Sequence, residues 1–196
     1  RTWNRVTLRA NLASGFRPPS TAELLAEGVH HGALKYEKGN RSLVSERGFQ
    51  VDLSTKLSSE HLQLTVNPFY NRINDYIYLN PTGESIDGYL VYQYEQTNAE
   101  LFGGEIMLHY HPHQIHWLHL ESDFSSVTAN DNQGNALSLI PSARINSKAK
   151  VVIEDKGKVQ FTHFFVSSTY KFAQNRVAAE EETSQEYFLL HLGADL

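Results

Sequence analysis

The chain has 196 residues and a net charge of −5 at pH 7, with Lys and Arg scattered rather than clustered, so it lacks the basic face that nucleic acid requires. The absence of cysteine excludes disulfide scaffolds, thiolate zinc sites and cysteine nucleophiles. A mean hydropathy of −0.42 with no apolar run near ~18 residues excludes a membrane-spanning helix but not a membrane β-barrel, whose strands alternate.

Taken in chain order, the dominant signal is period two. Val6, Leu8, Ala10 and Leu12 share one face, against Arg5, Thr7, Arg9 and Asn11. A long polar connection follows, FRPPSTAELLAEGVHHGALKYEKGNRSL. Within it Ser20 and Glu23 predict a capping box for one short loop helix, with Gly28 as its stop. Alternation resumes with Phe49, Val51, Leu53 and Leu57, then Leu62, Leu64 and Val66, then Ile106, Leu108 and Tyr110. It returns with Ile145, Ala149 and Val151, and finally with Phe188, Leu190, Leu192 and Leu196. Segments 115–126 and 158–171 are less regular but rich in Phe, Val, Thr and Tyr. The expected fold is all-β, with about eight antiparallel strands in up-and-down order.

The connections sort by length. SSEH, HPHQ and EDKGK read as tight turns. The segments 15–44, PTGESIDG, TANDNQGNALSLIPS and KFAQNRVAAEEETSQ read as long polar loops. Such sorting is expected of a transmembrane β-barrel with short periplasmic turns and long extracellular loops. The polar faces carry Arg5, Arg9, Arg144, Lys148 and Lys150, which suit a water-lined lumen rather than a dry core. Trp3, Trp117 and the Tyr76/Tyr78 and Tyr89/Tyr92/Tyr94 groups are expected near strand ends as interfacial girdles. The chain starts at Arg1 without an initiator methionine and stops inside an alternating run. It therefore reads as a fragment, with no signal peptide expected at such a start.

Histidine is the residue type that invites a metal reading, with ten in the chain. His30 and His31 are sequential, and would point to opposite sides of an extended segment. Glu27, Tyr36 and Glu37 could supply oxygen donors beside them, and solvated loop imidazoles are the alternative. In HYHPHQIHWLH, His109 and His111 share one strand face, while His113 and His116 straddle the expected turn. Being at a short turn, that cluster is expected to line the periplasmic rim rather than a capture site. The pair Gly103–Gly104 suggests a bulge or a close backbone approach, covered by Phe102. No GxSxG elbow, HExxH helix or phosphate loop is present, so no enzyme activity is expected. Loop carboxylates Glu84, Asp87, Glu95, Asp131, Glu180, Glu181 and Glu182 could engage cations or stay solvated.

Four stretches in order, SGFRPPSTAELLAEG, YEKGNRSLVSE, YNRINDYIYL and TNAELFGGEIMLHYHP, resemble the C-terminal half of the barrel of TonB-dependent outer-membrane receptors. The VHHG loop looks like those of receptors for metal ions, haem or metal chelates. The resemblance implies a 22-stranded barrel in the outer membrane of a Gram-negative bacterium, closed by a plug domain. Residues 1–196 would then be a partial barrel, with plug, earlier strands and closing strand lying outside it. It implies active import of an iron-siderophore complex, haem or a metal ion such as zinc. Import would be driven through the TonB complex, with outer-membrane lipid around the barrel. No cofactor is required, and a metal or chelate would be cargo. Family-motif positions Arg17, Glu23, Asn40, Glu46, Gly104 and Glu105 match here and are expected to be mainly structural, while His30, His31, Glu27, Tyr36 and Glu37 are the expected cargo contacts. The alternatives are a passive porin or adhesin barrel, or a soluble all-β binding module.

Overall fold

The computed structural model describes residues 5–152, 163–179 and 181–195. Trp3, the expected turn at 154–158 and Glu180 lie outside the described residues. In chain order the elements are β1 (Arg5–Arg17), α1 (Thr21–Leu25), β2 (Glu27–His30), β3 (Lys35–Lys38), β4 (Glu46–Ser58) and β5 (Leu62–Ile86). They continue with β6 (Tyr89–Tyr110), β7 (Leu118–Asp131), β8 (Arg144–Val152), β9 (His163–Lys171) and β10 (Tyr187–Asp195). Eight of the strands form one antiparallel meander, β1-β4-β5-β6-β7-β8-β9-β10. β2 and β3 pair as a small hairpin, and β3 adds in parallel to β6. Nothing joins β1 to β10 among the described residues, so the sheet is open.

The register explains why period two dominates the sequence. Val6 lies across from Leu57, Leu57 from Leu64, and Leu64 from Leu108. Farther along, Tyr110 faces Leu120, Leu120 faces Ala149, Ala149 faces Val166, and Val166 faces Leu192. Directly paired residues point the same way, so these form one apolar face across all eight strands. That face is uncovered: Leu8 is 73% exposed, Leu12 68% and Leu192 75%. The opposite face aligns polar groups in the same manner. Asn11 donates to Asp52 at 3.0 Å, and Asn146 joins Asp123 at 2.8 Å and accepts from Thr169 at 2.9 Å. A one-residue slip in any strand would reverse both faces, so the pattern fixes the register.

The core sits elsewhere. The buried apolar side chains are Leu43, Ile77, Leu79, Val91, Ala99, Ala129 and Leu137, all at the long-loop end. There β5 and β6 run to 25 and 22 residues, far longer than a ~25 Å apolar band needs. The connection at 132–143 folds back onto this extension. Leu137 enters the core beside Ala99 and Ala129, and the Ser138 hydroxyl donates to the Leu79 carbonyl at 2.8 Å.

Two expectations need correction. PTGESIDG is not a long loop: the strands continue through it, and a two-residue turn at Asp87 and Gly88 closes the hairpin with φ of 50° and 83°. Asp-Gly is the pair that a mirror-image hairpin turn favours. Gly28 does not stop the helix. α1 ends at Leu25, because Ala26 turns extended (φ −57°, ψ 133°), and Gly28 then pairs with Glu37 in the β2–β3 hairpin. Of the two readings of Gly103–Gly104, the close backbone approach holds and not the bulge, since β6 keeps register with both neighbours there. A Cβ at Gly103 would collide with the Ser126 carbonyl, and one at Gly104 would sit 2.8 Å from the Asn67 carbonyl, so close strand approach is the reason. Tyr76, Tyr78, Tyr92 and Tyr94 lie on the long β5–β6 extension. The Ser20–Glu23 capping box is present as expected.

Candidate functional site

At the long-loop end one arginine organises the entry of the chain. Arg17 closes β1 with its Nε and Nη2 on the two oxygens of Glu46, both at 2.8 Å. Its Nη1 reaches both oxygens of Glu23 on α1 at 2.9 Å. Glu46 is buried and accepts the Ile77 amide of β5 at 2.7 Å, so Arg17 links β1, α1, β4 and β5. Asn40 supports the same corner, its amide bonding the Glu23 carbonyl at 2.8 Å and its side chain accepting the Ser42 amide at 3.0 Å. These motif positions brace the loop.

The β2–β3 hairpin stands above this brace. Strand alternation splits four of the five expected contact residues between its two faces. On one face His30 Nδ1 lies 3.0 Å from Glu37 Oε1, Lys35 Nζ lies 3.3 Å from the same oxygen, and the Tyr94 hydroxyl donates to Glu37 Oε2 at 3.3 Å. Burial pushes the Glu37 carboxyl up, but the hydrogen bonds from His30 and Lys35 and their charge outweigh it, and the net direction is down. Lys35 also stands over the Tyr92 ring at 5.1 Å. On the other face the Tyr36 hydroxyl donates to Glu27 Oε1 at 3.0 Å. His31 lies exposed in the turn at 31–34 and joins neither group.

β6 decides which face looks inward. Its residues alternate from Tyr89 to Tyr110, and Tyr36 pairs with Val91, an odd-numbered position. Lower on the strand the odd positions carry the polar residues Glu105 and His109, while the even ones carry Phe102, Ile106 and Leu108. Tyr36 and Glu27 therefore continue the polar side of the sheet, and His30 and Glu37 continue the apolar side. Sequence reasoning missed two partners on the polar side. The Tyr78 hydroxyl and Asn80 Nδ2 both reach Glu95 Oε2, at 3.2 and 3.1 Å, and Tyr78 is pushed up to about 12 by burial and by Glu95. Lys38 and Glu84 meet at 3.8 Å on the same side. The cross-strand register of β5 and β6 joins Tyr78 to Glu95, a pairing that no local spacing shows.

The densest donor groups lie at the opposite, short-turn end. His109, His111 and His119 bring one ring nitrogen each within 4.8 Å of one another, and beside them a Glu60 carboxylate oxygen and one ring nitrogen each of His61 and His113 lie equally close together. Sequence reading had the first cluster in view but not His61, which the β4–β5 turn carries in. Loop carboxylate Asp131 caps its own turn, accepting the Gln133 and Asn135 amides at 2.8 Å, and Glu181 takes the Leu139 amide at 2.6 Å. Both are structural anchors for the loops.

Residues 2–196 match the family described as TonB dependent receptor-like, beta-barrel. Among solved structures the chain is similar to the copper transporter OprC, at 17% identity and a TM-score of 0.76, over 95% of this chain and 28% of that one. It is also similar to the siderophore receptor PirA of Acinetobacter baumannii, at 19% identity and a TM-score of 0.66, over 95% and 32% of the two chains. The ferric enterobactin receptor PfeA of Pseudomonas aeruginosa gives 20% identity and a TM-score of 0.66, over 97% and 30%. The chain thus spans about a third of the length of each, and at these identities the likeness is one of fold.

Proposed function

Since the chain belongs to the TonB-dependent receptor-like β-barrel family, we propose that it is the wall and outer cap of a receptor that imports a metal-containing cargo. The cargo classes are an iron-siderophore complex, haem, or a metal ion such as zinc. The sheet sits in the outer membrane of a Gram-negative bacterium, its apolar face on lipid and its polar face on the lumen. Import is energised through the TonB complex. The long-loop end faces outward and captures cargo.

One observation carries this reading. A cap with its own buried core holds phenols and carboxylates in fixed positions above a sheet sorted into lipid-facing and polar sides. Oxygen donors suit hard metal ions and their chelates. The names of the neighbouring structures, a copper transporter and two siderophore receptors, point to the same cargo class. On the inner side Glu27, Tyr36, Tyr78 and Glu95 are the proposed cargo contacts. His30 and Glu37 hold the hairpin from the outer side, and His31 lies at the rim.

Growth tests this. A strain lacking the receptor is supplied in turn with a ferric catecholate siderophore, haemin or Zn²⁺ as sole source of the limiting metal. The full-length receptor should restore growth on one of them. Failure on all three would contradict the reading.

A further inference from the structure

The short-turn end carries a second site with different chemistry. His109 near the end of β6 lies across from Gln63 on one side and Glu121 on the other. The next pair, Tyr110 with Leu120, points to the opposite face, and the same register carried one residue on sets His111 across from His119. His109 and His119 thus stand on the polar face of the sheet, and His111 follows directly after the last ladder pair beside them. His109 Nε2 and His119 Nδ1 are 3.1 Å apart, and the His109, His111 and His119 rings have centroids 5.4 to 5.7 Å apart. The cluster does not end there. The His61 ring meets His111 at 5.1 Å and His113 at 4.8 Å, and His113 meets His116 at 5.4 Å. The backbone holds them together, since the His111 amide bonds the His61 carbonyl at 3.0 Å. His61 Nδ1 is buried with no hydrogen-bond partner among the described residues.

We propose that His109, His111 and His119 bind a divalent first-row transition-metal ion at the lumenal, short-turn end of the barrel wall. A tetrahedral ion with nitrogen bonds of about 2.0–2.1 Å holds its ligand atoms about 3.3–3.4 Å apart, close to the His109–His119 separation. The third nitrogen, within 4.8 Å, closes the gap by rotation of a half-buried ring. Three neutral imidazoles favour zinc, copper or nickel over calcium and magnesium, which demand oxygen. The three ligands leave a fourth position open, the form of an exchangeable site rather than a closed structural one. The nearest cation, Lys150, is turned toward Glu121 at 4.0 Å, which moderates its charge beside His119. Glu60, His61 and His113 extend the donor surface to the rim. Nothing in this depends on what the receptor imports.

The test uses the full-length receptor in detergent at neutral pH, titrated with Zn²⁺ alone against a chromophoric chelator. The native protein should bind one molar equivalent more than the His109→Ala/His119→Ala variant, while a His30→Ala/His31→Ala variant should match the native stoichiometry. Equal stoichiometry in native and His109→Ala/His119→Ala protein would overturn the site. Heat-modifiability on gels checks that the variant barrel is folded. If it is not, Cu²⁺ bound to the native receptor decides: an electron paramagnetic resonance spectrum with several nitrogen couplings supports the site, and oxygen-only coordination overturns it. Growth on a cargo source reads the cap independently.

Discussion

Arg17 and Glu46 form a two-point ion pair, Nε and Nη2 each 2.8 Å from a carboxylate oxygen, at the junction of the barrel wall with its cap. The Glu46 side chain is 10% exposed and its other bonds are to backbone, so it depends on Arg17 for its charge. Arg17→Ala should loosen residues 18–45 by about 2 kcal/mol, less than a fully buried pair because Arg17 is half exposed. Hydrogen exchange of the full-length receptor measures this. Exchange in that segment should rise while β4–β7 stay protected, and unchanged protection would count against the brace.

The turn at Asp87 and Gly88 predicts an asymmetric response. Gly88 has a φ of 83° with nothing within reach of a Cβ, so Gly88→Ala costs only backbone strain, about 1 kcal/mol. The Asp87→Asn variant should be near neutral, because Asn also accepts this conformation. Proteolysis at the hairpin tip compares the two. Equal sensitivity would deny the mirror-image turn.

Gly103 answers to a different constraint. A methyl group there meets the Ser126 backbone, which cannot swing away as a side chain could. The Gly103→Ala variant should lose about 1–3 kcal/mol and lower the yield of heat-modifiable barrel. The Gly15→Ala variant, with open space around its Cβ, should not.

Acid should release the hairpin through Glu37. Its folded carboxyl titrates below the ordinary value of 4.5, so its contribution is complete above that value and fades as pH falls through the lower folded one. Residues 1–196 hold no cysteine, so an Ala33→Cys variant of the full-length receptor, with any cysteine outside them replaced, carries a single fluorophore at the hairpin turn. Its anisotropy should stay constant at neutral pH and drop only below pH ~4.5. In a Glu37→Gln background the drop should vanish.

What the sequence discloses follows from where periodicity operates. Eight alternating strands and their faces are legible because lipid and water sort side chains two by two, as Val6, Leu57, Leu64 and Leu108 show across four strands. The cap is not legible that way. Leu43, Ala129 and Leu137 are buried in it from segments that read as polar loops, since their burial depends on chain reversal rather than spacing. The Asp87-Gly88 turn was readable from its dipeptide alone, but the polar residues around it outweighed that signal. Of the five expected cap contacts, Glu27 and His30 lie in β2, Tyr36 and Glu37 in β3 and His31 in the turn between them, and alternation parts Tyr36 from His30. Glu95 and His61 come from strands and turns remote in sequence, so only the register could pair them with Tyr78 and His111.

Metal uptake into cells tests the central claim most directly. Cell-associated iron, zinc and copper are measured by mass spectrometry in strains carrying no receptor, the native receptor, a Glu27→Gln/Tyr36→Phe variant, or a His30→Ala/His31→Ala variant, at equal outer-membrane abundance. The native receptor should raise one metal, the Glu27→Gln/Tyr36→Phe variant should lose most of that gain, and the His30→Ala/His31→Ala variant should lose less. Equal metal content in all four strains would contradict a metal-importing cap.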